Sequence, residues 1–274
     1  FIIHSSANIV TGNNLFGNYR RVEFEQNGGT VTVGDQWVAN FDSQGKYVLK
    51  NGTVNGAIGG YGDFVMDSGT LNGYINGPKS ITINGGNINT TSGPGFYVYS
   101  VYLQEGSELH INGGSISATG LVSGRQEGPA IAIVAEKNAT IALKNEVDIT
   151  AKSANNKPSA SIWYYDSEDQ KVIDATEVTG FTNPLTIAAR SDAMKNISPF
   201  ANWIEGKTEN IDTIKNKTQF KVFTDTSGTE DTAYSGYEPK VSNTYIRMQD
   251  KNNQLPDIVS GDIPSVLIAR IGDT

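Results

Sequence analysis

Residues 78–88 read PKSITINGGNI, and their grammar decides the fold. Ile81 and Ile83 alternate with polar residues, an Asn-Gly-Gly corner follows, and Ile88 opens the next short strand. The phrase recurs as KYVLKNGTV (46–54), DFVMDSGTL (63–71) and SELHINGGSI (107–116), with a degenerate copy, ATIALKNEV, at 139–147. RVEFEQNGGTV (21–31) has the same grammar with a longer corner. The apolar triplets are Tyr47, Leu49, Val54; Phe64, Met66, Leu71; Ile81, Ile83, Ile88; Leu109, Ile111, Ile116; and Ile141, Leu143, Val147. An internal repeat sets the fold class before any other signal does.

The matching positions Tyr47, Phe64, Ile81, Leu109 and Ile141 are 17, 17, 28 and 32 residues apart. Seventeen residues are too few for a propeller blade and lack helical periodicity. They suit one coil of a β-solenoid, with period-two strands joined where Gly or Asn accepts a left-handed backbone. An Asn-Gly pair alone would signal a hairpin, but hairpins need not repeat one apolar triplet. The expectation is an all-β, right-handed parallel β-helix with capping segments, its triplets stacked into one core. Gly85 and Gly113 occupy equivalent corners, where a positive φ is expected.

The chain has 274 residues, 30 of them Gly, and no cysteine. Stability must therefore come from stacking. A net charge of −8 argues against nucleic acid or an anionic membrane as the main partner. No apolar run approaches the roughly 20 residues of a membrane helix. The start at Phe1 reads as an excised or processed segment.

Residues 1–18 read as a leading segment that caps the first coil, and coils run from about Arg20 to Ile149. Three coils grow at one place, through the polar loops 89–95, 117–129 and 150–159. Each loop precedes a new strand: FYVYSVYL (96–103), AIAIVA (130–135) and ASIWYYD (160–166). Loops rising from a rigid scaffold are common binding sites. Aligning Leu109 with Ile141 and Val172 puts Tyr99, Ile131 and Ile162 in one inward row; Val101, Ile133 and Tyr164 in a second; and Leu103, Ala135 and Asp166 in a third. The outer face then carries Tyr102, Trp163 and Tyr165, extended by Tyr74, beside the small residues Ser100, Ala130, Ala132 and Ser161. That combination describes a shallow groove able to stack a sugar ring. Packing of the same aromatics beneath the loops is the other reading. Arg125 is the single cation of loop 117–129, and its planar fork suits a uronate carboxylate; a solvated loop residue is its plainer reading.

Residues 1–190 read as the solenoid with its N-terminal cap, and 191–274 as irregular coils or a capping sheet of the same elongated domain. DAMKNISPFANWIEG (192–206) has helical spacing, whereas TQFKVFTD, NTYIRMQD and SVLIARIGD read as strands.

No cofactor or metal site is legible. The two histidines, His4 and His110, are far apart in sequence and lack cysteine partners. Pairs such as Asp63 with Asp67 and Glu146 with Asp148 fall on strands, but carboxylates so spaced are usually solvated. Glu168–Asp169 and Glu230–Asp231 would need further oxygen ligands to hold calcium.

The NGG-cornered coils (83–88, 111–116), the Gly/Asn-rich turns and the lack of cysteine resemble the pectate-lyase-like right-handed parallel β-helix superfamily. More narrowly they resemble the solenoid binding regions of Gram-positive surface adhesins, including the serine-rich repeat adhesins of lactobacilli. The lyases gather calcium-binding aspartates beside an arginine base, a set that cannot be matched here. The adhesin resemblance implies an extracellular, cell-wall-anchored protein that binds glycans without cleaving them. The expected function is thus a non-catalytic carbohydrate-binding module with an acidic polysaccharide such as pectin, or a host glycan, as partner, and without membrane insertion. Tyr74, Tyr102, Arg125, Trp163 and Tyr165 are its candidate ligand contacts. A β-helix lyase or hydrolase and a structural or protein-binding stalk are the alternatives.

Overall fold

A computed structural model describes residues 1–12, 15, 22–41, 44–91, 97–121, 128–154, 156–164, 173–190, 204–224, 229–232, 237–242 and 244–250. The chain winds into stacked coils. The first holds β1 (Ile2–Ile3) and β2 (Asn8–Thr11), the second β3 (Glu23–Gln26) and β4 (Thr30–Phe41), and the third β5 (Lys46–Leu49) and β6 (Thr53–Gly60). Next come β7 (Asp63–Met66), β8 (Thr70–Asn72) and β9 (Ile75–Asn76), then β10 (Ser80–Ile83), β11 (Asn87–Thr90) and β12 (Val98–Leu103). The larger coils continue with β13 (Glu108–Ile111), β14 (Ser115–Thr119) and β15 (Ala130–Ala135), then β16 (Thr140–Lys152) and β17 (Ser159–Tyr164). β18 (Ile173–Phe181) and β19 (Leu185–Arg190) precede β20 (Ile204–Gly206), helix α1 (Thr208–Lys217) and β21 (Thr218–Phe223).

Three faces result, each a parallel stack. The first runs β1, β3, β5, β7, β10, β13, β16, β18, β20. The second runs β2, β4, β6, β8, β11, β14, β16. The third joins the far ends of β4 and β6 to β9, β12, β15, β17, β19 and β21. The chain is an all-β parallel β-helix.

Sequence alternation explains the core. Phe24, Tyr47, Phe64, Ile81, Leu109, Ile141, Ile173 and Ile204 form one inward row of the first face, and all are buried. Phe1 continues it outward at the N-terminal end, stacked on Phe24 at 5.5 Å. In the next inward row the polar Gln26 replaces an aliphatic residue. Its burial is tolerated because the Tyr47 phenol donates to its Oε1 at 2.6 Å, while its Nε2 donates to the Gly29 and Thr53 carbonyls.

The corners need glycine at their second position. Gly86 and Gly114 have φ of 86° and 89°, and a Cβ at either would lie 2.6 and 2.5 Å from the carbonyl oxygen of the matching glycine one coil below. The expectation of a positive φ at Gly85 and Gly113 is corrected by one residue. The degenerate coil is corrected too: Ile149, not Val147, pairs with Ile116, because the corner within β16 is one residue longer than the corner between β13 and β14. Ile173, not Val172, stacks on Ile141.

At the C-terminal end the expected strands in TQFKVFTD and NTYIRMQD are present, at Thr218–Phe223 and Tyr245–Asp250, whereas the N-terminal segment differs from the sequence reading. Residues 2–11 are a coil in their own right, not a cap. At the far end the stacking persists through β21, and α1 stands where a second-face strand would be, burying Ile211 and Ile214. TENIDTIKNK satisfies helix chemistry, with Glu209 in the first turn and Lys215 and Lys217 in the last. β22 (Tyr237–Val241) and β23 (Tyr245–Asp250) then close the first face, β23 running antiparallel to β20. An antiparallel strand ends the coil-on-coil stacking at that edge. Residues 192–203 and SVLIARIGD (265–273) lie outside the described residues.

Candidate functional site

The third face holds the candidate site, and a break in its alternation shapes it. In β12 both Tyr99 and Tyr102 belong to an outer aromatic cluster, although they are three residues apart. Val101 and Leu103 belong to the main core, and buried Ser100 donates to the Ser117 carbonyl at 2.7 Å. Two consecutive residues therefore turn inward, and strand pairing steps over Ser100, Ala132 and Ser161. Buried Ser161 likewise donates to the Ile149 carbonyl at 2.8 Å. These small residues fill the inner corner between the second and third faces. Ala130 packs with Val98 and Ala118 in a small separate cluster. The expected groove floor of Ser100, Ala130, Ala132 and Ser161 does not exist.

The rows shift accordingly. Tyr99 and Ile131 point outward, where the sequence reading placed them inside. Ile162 stacks with Ile133 and Val101, and Tyr164 with Ala135 and Leu103, two positions from the expected register. Asp166 lies outside the described residues. An even slip preserves the faces, so Tyr102, Val134 and Trp163 do share an outward row.

That row is covered, however. Trp163 is 0% exposed and stacks on Phe223 at 5.2 Å, with the rings 13° apart. Among the described residues its indole N–H has no hydrogen-bond partner. Trp163 is thus a core residue of a second, outer hydrophobic layer, and the exposed indole expected from sequence is corrected. Arg125 and Tyr165 lie outside the described residues.

Tyr74 and Tyr102 both pack on Tyr99 at the other end of this layer. Both are half-buried, and with Tyr97 they surround buried Tyr99, whose ring centroid is 5.5 Å from Tyr74, 5.7 Å from Tyr97 and 5.3 Å from Tyr102. Asn76 Nδ2 donates to the Tyr99 hydroxyl at 2.7 Å, and the Tyr102 hydroxyl donates to Glu136 Oε1 at 2.5 Å. The Glu105 amide holds the second Glu136 oxygen at 3.2 Å. Burial pushes the Tyr99 phenol well above its usual range; the neighbouring Tyr74 and Tyr97 add to the rise and the Asn76 bond opposes it. Tyr74 is raised by burial as well. The cluster thus offers ring edges, hydroxyls, one amide and one carboxylate.

Sequence reading missed Tyr97, Asn76 and Glu136 and misplaced Tyr99. The signal was present: tyrosines at 99 and 102 cannot share a face of a regular strand, so their pairing marks a bulge.

Several acids singled out in the sequence have structural partners. Asp67 accepts from Asn84 at 2.8 Å and Asp148 from Asn183 at 2.7 Å, which makes both structural acceptors. His110 lies 3.6 Å from Glu108 on the half-exposed first face. Glu230 pairs with Lys221 at 3.4 Å, and residues 168–169 lie outside the described part. Among the described residues no three His, Asp or Glu side chains gather as a metal site, and no helix is long and apolar enough to cross a membrane. Compared with protein-family models, curated proteins and solved structures, the chain matches none.

Proposed function

We propose that the chain is a non-catalytic carbohydrate-binding module of an extracellular, wall-anchored bacterial adhesin, similar in plan to the pectate-lyase-like β-helices and the solenoid adhesins. The observation that carries this reading is the tyrosine cluster. Tyr74 and Tyr102 present half-buried rings at the rim of a rigid face, beside the Asn76 amide and the Glu136 carboxylate. Flat apolar surface with fixed polar groups at its edge is what a sugar ring, apolar on its C–H face and polar at its rim, requires. Glu136 disfavours an anionic sugar at this spot, so a host-type neutral or amino sugar fits the cluster better than a uronate.

A glycan array run beside an assay for unsaturated uronate products tests the reading. Binding that falls in Tyr74→Ala and Tyr102→Ala, without product formation, is expected. Product formation supports a lyase instead, and absence of glycan binding supports a structural or protein-binding stalk.

A further inference from the structure

A second surface, on a different face, has a composition unlike the rest of the molecule. The outward positions of the second face form two columns across the coils. One runs Thr30, Thr53, Thr70, Asn87, Ser115, Asp148, and the other Thr32, Asn55, Asn72, Asn89, Ser117, Thr150. Every one of these side chains is partly or fully exposed. Eleven of the twelve are uncharged hydroxyls or amides, one is a carboxylate, and none is a cation or an aromatic. The first face is different: its outward columns include Glu23, Lys46, Asp63 and Glu108 in one and Glu25 and His110 in the other.

The groups of this lane are also held in register. Asn55 Nδ2 donates to Thr32 Oγ1 and Asn72 Nδ2 to Asn55 Oδ1, both at 2.9 Å. Ser115 Oγ donates to Asn87 Oδ1 at 2.8 Å, and Ser117 Oγ to Asn89 Oδ1 at 3.1 Å. An amide has two donor hydrogens and two acceptor lone pairs. These lateral bonds use only part of that capacity while fixing the side-chain orientations. The result is a flat, preorganised array of mixed donors and acceptors, repeating about every 4.8 Å along the solenoid axis.

The chemistry of the array selects its partner. Protein interfaces centre on buried aromatic or arginine anchors, which the lane lacks. Nucleic acids and acidic polymers need cations, also lacking, on a chain of net charge −8. A polymer that is uncharged and carries a donor-acceptor hydroxyl at every step does match it. The geometry points to the second face as a docking lane for an extended neutral polysaccharide lying along the solenoid axis, where the coil repeat is close to the length of one sugar residue. The lane is separate from the tyrosine cluster. Without aromatic stacking each sugar contributes little, so the lane binds chains by multivalency and has no measurable affinity for single sugars.

The test is depletion of the protein by amorphous cellulose and by insoluble β-1,3-glucan, with glucose as competitor. Parent and Tyr102→Ala should bind the polymers equally, with little change between low and high salt. A Thr70→Lys, Asn89→Lys double variant, at exposed or half-exposed outward positions, should keep the parent circular-dichroism spectrum and lose at least about tenfold in affinity. Failure of the parent to bind either polymer overturns the lane, as does parent-like binding by the lysine variant. Loss of polymer binding in Tyr102→Ala assigns the polymer to the tyrosine cluster instead. Inhibition of ice growth without polymer binding also overturns it, since an ordered hydroxyl array then reads water.

Discussion

One outward row of the third face, followed along the axis, contrasts the short coils with the long ones. In the short coils the row reads Gly59 and Asn76; in the long coils it continues as Tyr102, Val134, Trp163 and Ala188. In the short coils most strands alternate, as in β5 and β7, although Ala57, Ile58 and Gly59 of β6 are buried in succession. On the third face of the long coils both sides are buried: every residue of β15, AIAIVA, is buried. The same stacking rule thus produces a one-sided solenoid in one region and a two-layered one in the next. Tyr102 sits at the step between them, with Asn76 on one side and Val134 on the other. The candidate site lies at that step, where the outer aromatic layer meets Asn76 and Glu136.

The largest expected effect separates the two layers. Trp163→Ala should cost about 3–5 kcal/mol in denaturant unfolding, because it empties the outer layer beside Phe223. If the loss is under 1 kcal/mol, the long coils are one-sided like the short ones. Ile83→Ala and Ile111→Ala strike the inner core that both regions share, where both side chains are buried. Each should cost about 2–5 kcal/mol, and parent-like stability in either would defeat the register.

Much of this was legible in the chain. The alternation of Ile81, Ile83 and Ile88 specified inward residues, because a period-two pattern with one apolar set has one way to face a core. Tyr74 and Tyr102 were placed on the outer side of the strands by the same reasoning, as the structure has them. Trp163 was misjudged because alternation reports which residues share a side, not whether that side is covered. Tyr99 was misplaced because a bulge resets the parity within a strand. Helix α1 was missed because its apolar positions, Ile211 and Ile214, are too few to outweigh the β pattern around them.

The corners give a smaller effect with a sharp contrast. Gly86→Val should destabilise by more than about 1–2 kcal/mol, since the left-handed backbone alone costs that much and the coil below blocks the new side chain. Gly85→Val meets only the Asp67 carbonyl at 3.0 Å, without a positive φ, and should cost less. Equal melting temperatures for the two would contradict the corner geometry.

Alkaline pH probes both regions together. Burial raises the phenols of Tyr47, in a short coil, and Tyr164, in a long one. A raised folded-state pKa means the neutral form is retained after folding, so stability is full below the unfolded value near 10 and falls above it. The loss should approach about 1.4 kcal/mol per pH unit for each tyrosine. Tyr47→Phe and Tyr164→Phe should each flatten the decline between pH 10 and 11. An unchanged slope in both would place these phenols in water.

The most direct measurement is the affinity of Tyr102→Ala for a mono- or disaccharide ligand that the parent binds on a glycan array, by titration calorimetry, with the emission of Trp163 isolated by replacing Trp37 and Trp203 with Phe. The account predicts at least about a tenfold loss in the variant and no change in Trp163 emission when the parent binds. Parent affinity in the variant, with emission shifting as ligand is added, would contradict it and move the contact to the buried face.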